Sequence, residues 1–244
     1  MGWQRRHVGA VVVAGAAALA VTGISGCSLT RSSFQDDATV SDRITAVRLD
    51  TDAGNVTVEG KPGATQVSVH RSVEYAHDRP GGTTRVENGT LVLGGCGDDC
   101  SVSYTVEAPA GLPISGGASA GDVRLSRVGE VSVHTSAGGI TLDDVGGPVD
   151  AHTSSGTIVG TALRGDRIEA RTSNGDIRLT PGTAQDVTAK TSNGAITVTL
   201  PAAGYHVSTA TSHGNIRVGV ADDPTGRYRL DLTTSNGDIT ATTG

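Results

Sequence analysis

One short frame recurs along the chain and limits what it can fold into. The clearest copy is Ile168–Leu179, Ile-Glu-Ala-Arg-Thr-Ser-Asn-Gly-Asp-Ile-Arg-Leu, where two alternating runs flank a turn ending at Gly175. It returns at Val187–Val198, Val207–Val218 and Leu230–Ala241, with turns ending at Gly194, Gly214 and Gly237. Looser copies turn at Gly54, Gly121, Gly138 and Gly156, and from Gly121 onward the turn glycines fall about 17 to 23 residues apart. That spacing is the signature of a solenoid or array. Within each copy apolar and polar residues alternate, as in a half-buried strand. Aligned copies form columns: Val149, Ile168, Val187, Val207 and Leu230; then Thr153, Thr172, Thr191, Thr211 and Thr234; and after the turn Ile158, Ile177, Ile196, Ile216 and Ile239. One coil cannot bury such a face alone, whereas stacked coils can, and β-branched ladders suit the stack.

Asn-Gly between alternating runs is also the signal for a tight hairpin, so an antiparallel meander competes. The weaker copies decide between the two. Ala53, Ala120 and Ala137 occupy the Asn position, and a type I′ hairpin turn needs positive φ there, which Ala resists. A turn that needs positive φ only at Gly accepts Ala, Ser, His or Asn before it. The chain is therefore read as all-β: a parallel β-solenoid of coils of about 18–20 residues with an irregular N-terminal β cap.

Residues 1–27 read as an export signal, with Arg5 and Arg6 before the Val/Ala/Gly run Val8–Ala20. Ile24-Ser25-Gly26-Cys27 resembles the bacterial lipobox, which implies a diacylated Cys27 at the mature N-terminus and a lipid-anchored domain on the extracytoplasmic face of the cell membrane. An ordinary signal peptide with an incidental cysteine is the alternative. Residues 28–41 are polar and carry no apolar period, the composition of a flexible tether. Residues 42–244 form one β-repeat domain, with 42–111 an atypical cap and 112–244 the regular repeats. In the cap, Val67–Tyr75, Thr84–Val86, Leu91–Leu93 and Val102–Val106 are strand candidates and Asn88-Gly89 a hairpin turn. The last copy runs almost to the final residue, so the C-terminal edge is expected to be uncapped and open to self-association or a partner strand.

The formal charge of −6 becomes −8 without Arg5 and Arg6, and no basic tract is present, which excludes nucleic acid as a partner. Aromatic residues make up only 2% of the chain, so the core must be built from small aliphatics and threonine, coil by coil. Beside Cys27, Cys96 and Cys100 enclose a short loop, the spacing of a local disulfide in an oxidising compartment.

No constellation points to catalysis, and neither a cofactor nor a resident metal is expected. His134 and His152 share one outward column but read as part of a solvated polar ladder continued by Arg171 and Lys190. Asp122, Asp176, Asn215 and Asp238 follow turn glycines without the spacing of a calcium-binding β-roll. Asp143, Asp144 and Asp150 are the densest acidic group, the place where a glycan-cleaving pair would have to lie.

The Thr-Ser-Asn-Gly-Asp-Ile repeat behind a lipobox resembles a bacterial β-strand-repeat family of unknown function whose domain carries the label "putative adhesin". The resemblance covers about Val47–Ala241 and brings no catalytic residues with it. It implies a membrane-anchored, non-catalytic interaction module whose partner is an envelope protein or glycan. A β-helix carbohydrate-active enzyme, or a passive spacer or envelope-stress accessory, are the alternatives.

Overall fold

A computed structural model describes residues 31–244, so the expected export signal and lipidation site at Cys27 lie outside the described residues. The first part of the chain contributes β1 (Ser32–Val40), β2 (Ala46–Ala53), β3 (Val56–Lys61), β4 (Val67–Tyr75), β5 (Thr84–Glu87), β6 (Thr90–Gly94) and β7 (Cys100–Pro109). The regular region contributes strands in pairs, one on each side of a turn glycine. They are β8 (Ile114–Ala120) with β9 (Val123–Ser126), β10 (Val131–Ala137) with β11 (Ile140–Asp143), and β12 (Val149–Ser155) with β13 (Ile158–Leu163). Next come β14 (Arg167–Asn174) with β15 (Ile177–Pro181), and β16 (Asp186–Asn193) with β17 (Ile196–Leu200). The last pairs are β18 (Tyr205–His213) with β19 (Ile216–Val218), and β20 (Tyr228–Asn236) with β21 (Ile239–Thr243).

The two strands of each pair lie in different sheets, so the Asn-Gly turns are corners of a solenoid and not hairpins. The backbone agrees with the reason given for preferring it: Gly175, Gly194 and Gly237 have φ of +152°, +151° and +152°, while no Asn before them has positive φ. Asn88 (φ 50°) and Gly89 (φ 78°) do form the expected hairpin turn, joining β5 antiparallel to β6.

The sequence columns become ladders. Ile168 pairs in register with Val149 and Val187, Thr172 with Thr153 and Thr191, and Ile177 with Ile158 and Ile196. These side chains fill a narrow interior in which Val149, Ile168, Ile177, Ile196 and Leu230 are at most 1% exposed. Tyr104 and Tyr205, the largest fully buried side chains, stand near opposite ends of the stack.

Two features depart from the expected layout. Residues 32–40, expected within a tether, are an edge strand: β1 pairs antiparallel with β4 over nine positions, Ser32↔Tyr75 to Val40↔Val67. Its inward positions hold Phe34, Asp36, Ala38 and Val40, and the charge on Asp36 hides the alternation. Arg71 in β4 neutralises that charge. Its Nε and Nη2 donate to the two Asp36 oxygens at 2.8 and 2.5 Å, and its Nη1 donates to Gly81 O and Thr83 Oγ1. Both side chains are largely buried, at 12% and 16% exposed. The guanidinium hydrogen bond holds the Asp36 carboxyl below its ordinary 3.8. Asp36→Ala would strand a buried cation and should cost roughly 2–4 kcal/mol at neutral pH. A depressed carboxylate stabilises the fold above its unfolded pKa and loses that effect as pH falls through the folded one. Urea unfolding should therefore show the gap between wild type and variant closing progressively below about pH 4.

The second departure is the order of coils. Spatially the stack runs β16, β20, β18 in one sheet and β17, β21, β19 in the other. The final copy, Leu230–Ala241, is not the edge but lies between its two predecessors in sequence. The opposite end repeats the device, with the β2/β3 coil lying inside the later β6/β7 coil.

Candidate functional site

The predicted turn residues form a single continuous corner. In the array, a Cβ on each turn glycine would sit about 2.0–2.1 Å from the carbonyl oxygen of the turn glycine below: Gly138 on Gly121, Gly156 on Gly138, Gly194 on Gly175, Gly237 on Gly194 and Gly214 on Gly237. Gly54 meets Val102 O in the same way. The same carbonyls accept the threonine ladder: Thr172 Oγ1 donates to Gly156 O at 3.1 Å, Thr191 to Gly175 O at 3.0 Å, Thr234 to Gly194 O at 3.0 Å and Thr211 to Gly237 O at 3.1 Å. The column after the glycine closes the corner outside. Asp122 accepts Gly139 N–H, Asp176 accepts Ala195 N–H and Asp238 accepts Asn215 N–H, each at 2.8 or 2.9 Å. Those backbone hydrogen bonds are the first cause of the lowered pKa of Asp122 and Asp238. Arg124, Arg178 and Arg217 pair with the second oxygens. These carboxylates thus serve the ladder.

His134 and His152 are register neighbours on β10 and β12. The His134 imidazole nevertheless lies over Gly117 of β8, where a Cβ would come 2.4 Å from its Nε2. No group of three or more His, Cys, Asp or Glu suited to a metal occurs among the described residues. Asp143 accepts from Thr161, and Asp144 pairs with Arg164. Cys96 and Cys100 are bonded, with Cα atoms 5.7 Å apart, at the corner where β6 leads into β7.

Two surface features stand apart from these engagements. One is a shallow depression of about 470 Å³ over β8, whose Gly116, Gly117 and Ala118 offer almost no side chain. Arg48, Asp50 and Asp52 form one wall, and His134 and Ser136 the other. The second is the bare end of the stack at β18/β19. Ile216 and Val218 are its last core layer, in register with Ile239 and Ala241, which are fully buried one coil below. At 44% and 37% exposed they are the only large hydrophobics exposed among the described residues. In every interior coil the turn-glycine N–H donates to the coil above, as Gly194 N–H does to Asn236 O and Gly237 N–H to His213 O. By the same register the N–H groups of Gly214 and Ile216 point outward, and no described strand lies beyond them. The loop after β19 covers only the first residues of β18: Tyr205 bridges to Asp222, and Val207 N–H donates to the Asp222 carboxylate at 2.9 Å.

Chain order points to Leu230–Ala241 as the end of the stack, whereas the structure puts Val207–Val218 there. Two residues marked it. Asn174, Asn193 and Asn236 form a hydrogen-bonded ladder at 3.1 and 2.9 Å, from which His213 is excluded. Thr209 stands where the inner coils have Ala170, Ala189 and Leu232.

The sequence profile described as Toastrack DUF4097 matches residues 112–243, the regular part of the stack. No curated protein matches. Among solved structures, the chain is similar to a "putative adhesin" of Parabacteroides distasonis, at 16% identity over 85% of this chain and 97% of that one, with a TM-score of 0.49. It is also similar to a "putative adhesin" of Bacteroides fragilis, at 14% identity over 88% and 100% of the chains and a TM-score of 0.42. A "putative cell adhesion protein" of Clostridium sporogenes aligns at 10% identity over 87% and 100%, also with a TM-score of 0.42.

Proposed function

We propose that this chain, which belongs to the Toastrack DUF4097 family, is a non-catalytic interaction module that binds a protein partner through the bare end of its stack. The observation that carries this reading is the β18/β19 coil, which combines unpaired strand edges with exposed Ile216 and Val218. Main-chain groups on such an edge supply affinity, and alternate side chains supply selectivity. Most of the other chemistry-bearing residues the sequence singled out have structural engagements: Asp122, Asp176 and Asp238 hold backbone N–H groups, Asp143 holds Thr161, Asp144 pairs with Arg164, and His134 packs over Gly117. The depression over β8 is a weaker candidate for a glycan, since its lining offers no Trp, Tyr or Phe platform.

In this reading acyl chains on Cys27 hold the module at the extracytoplasmic face of the cell membrane, and the rigid stack projects its bare end away from β1. The test is capture from a native envelope extract, using the full chain beside an Ile216→Lys, Val218→Lys variant. Both positions are exposed, so the variant should fold normally. A partner retained by the wild type and lost from the variant is the expected result. A partner retained equally by both would shift attention to the depression over β8.

A further inference from the structure

We infer that the occupant of the bare end is a second copy of this chain, joined tail to tail with β18 of one copy antiparallel to β18 of the other and β19 antiparallel to β19. This rests on the reading of the β18/β19 end as the binding face. Four observations favour a second copy.

The first is shape. The end face is the cross-section of a coil, and the surface that matches it is another coil of the same outline. With Tyr205–Val207 covered by the loop, Ser208–His213 leaves six residues of open edge, about 20 Å at ~3.3 Å per residue, and two sheets packed about 10 Å apart with their outer side chains span about 20 Å. The face therefore offers roughly 400 Å² per copy, or about 800 Å² in all, the size of a small, reversible contact.

The second is the lack of protection along β18. Exposed edges are usually blunted by charge, Pro or a bulge. Ser208-Thr209-Ala210-Thr211-Ser212 has none of these, and its register with β20 runs without interruption from Ser208↔Asp231 to Thr211↔Thr234. The third is symmetry. A two-fold axis perpendicular to the sheets reverses both strands at once, so β18 meets β18 and β19 meets β19 with Ile216 and Val218 of each copy against the other's end layer. The fourth is closure. The opposite end is finished by the antiparallel strands β1 and β5, with Gln35, Asp37, Arg85 and Glu87 along them. A head-to-tail filament would need that protected end, whereas an isologous pair uses the bare end alone and stops at two.

The test places a thiol beside the axis. Ala210 is exposed on the outer face of β18, so the full chain carrying Ala210→Cys is treated with a short bis-maleimide and resolved on a denaturing gel. Ser132→Cys, exposed on the outer face of interior strand β10, is the control. A band of twice the chain mass from Ala210→Cys and none from Ser132→Cys is expected, with its yield lowered at least about tenfold when Ile216→Lys and Val218→Lys are added. Native mass spectrometry of the unmodified chain should show the same dimer, and it does not depend on the register at position 210. Absence of a dimer by both methods, or equal yield from both cysteines, would overturn the inference. If no dimer forms while envelope capture still depends on Ile216 and Val218, the binding face stands and only its occupant changes. If both fail, the face itself is wrong.

Discussion

Gly194→Ala should destabilise the domain by roughly 2–5 kcal/mol, because two penalties fall on one atom. The first is conformational: Gly194 has φ +151°, a region that residues with a β-carbon rarely adopt. The second is steric: the new methyl would sit 2.0 Å from Gly175 O, a backbone atom that already accepts Thr191 Oγ1. Relief would require pulling these two coils apart, which breaks the Gly175 N–H bond to Asn193 O as well. Stability in a solenoid depends on contacts between adjacent coils, so the damage should divide the array at that point. Gly219→Ala is the control, since its Cβ would meet Ala241 O at an ordinary 3.6 Å. Denaturant unfolding of the two variants should show a large fall in midpoint for the first and almost none for the second.

Removing residues 228–244 should do more than shorten the stack. The β20/β21 coil buries Leu230, Leu232 and Ile239 completely, worth about 1.5–3 kcal/mol for each side chain, so a substantial drop in melting temperature is expected. The gap it leaves need not stay open. Val207 and Thr211 occupy the same columns as Leu230 and Thr234, so the outer coil can move inward by one step and stack on β16/β17. A cysteine pair reads that shift. Asn193→Cys and His213→Cys are two strand spacings apart in the full chain, about 9.6 Å, and one spacing apart, about 4.8 Å, after the shift. Only the second distance permits a disulfide. Oxidation should therefore join the pair in the truncated chain and leave it free in the full one. A truncated chain that does not cross-link would mean that the outer coil stays detached.

Most of the architecture could be read from the chain because each coil repeats the same physical problem. Alanine before Gly121 and Gly138 excludes the hairpin turn, and the Val/Thr/Ile columns set the register by themselves. Asn88-Gly89 marked the tight β5/β6 hairpin turn by its own chemistry. β1 was not legible, because its strand character depends on a non-local partner: Asp36 looks like a solvent residue until Arg71, far along the chain, is placed against it. The order of coils was hidden for the opposite reason. Copies that share every column can be exchanged without moving a core side chain to the wrong face, so local pattern does not determine sequence along the axis. Among the last three copies, only His213 leaves the Asn column and only Thr209 puts a hydroxyl in an apolar column, and both lie in the copy that forms the end. The pattern alone therefore points to an end one coil too late in the chain.

The out-of-order stacking at both ends has a mechanical consequence. A zipper is normally opened by drawing on its last tooth. Here the coil formed by the final residues is clasped between β16/β17 and β18/β19, and the β2/β3 coil is clasped between β6/β7 and β8/β9. A pull on the C-terminus engages hydrogen-bonded ladders on both flanks of β20 and β21 together, so separation there must break two rows of bonds at once. Peeling one row at a time can begin only at β18/β19, a segment whose two ends are both tied back into the stack, and so gives a tug on the chain end no loose coil to unwind.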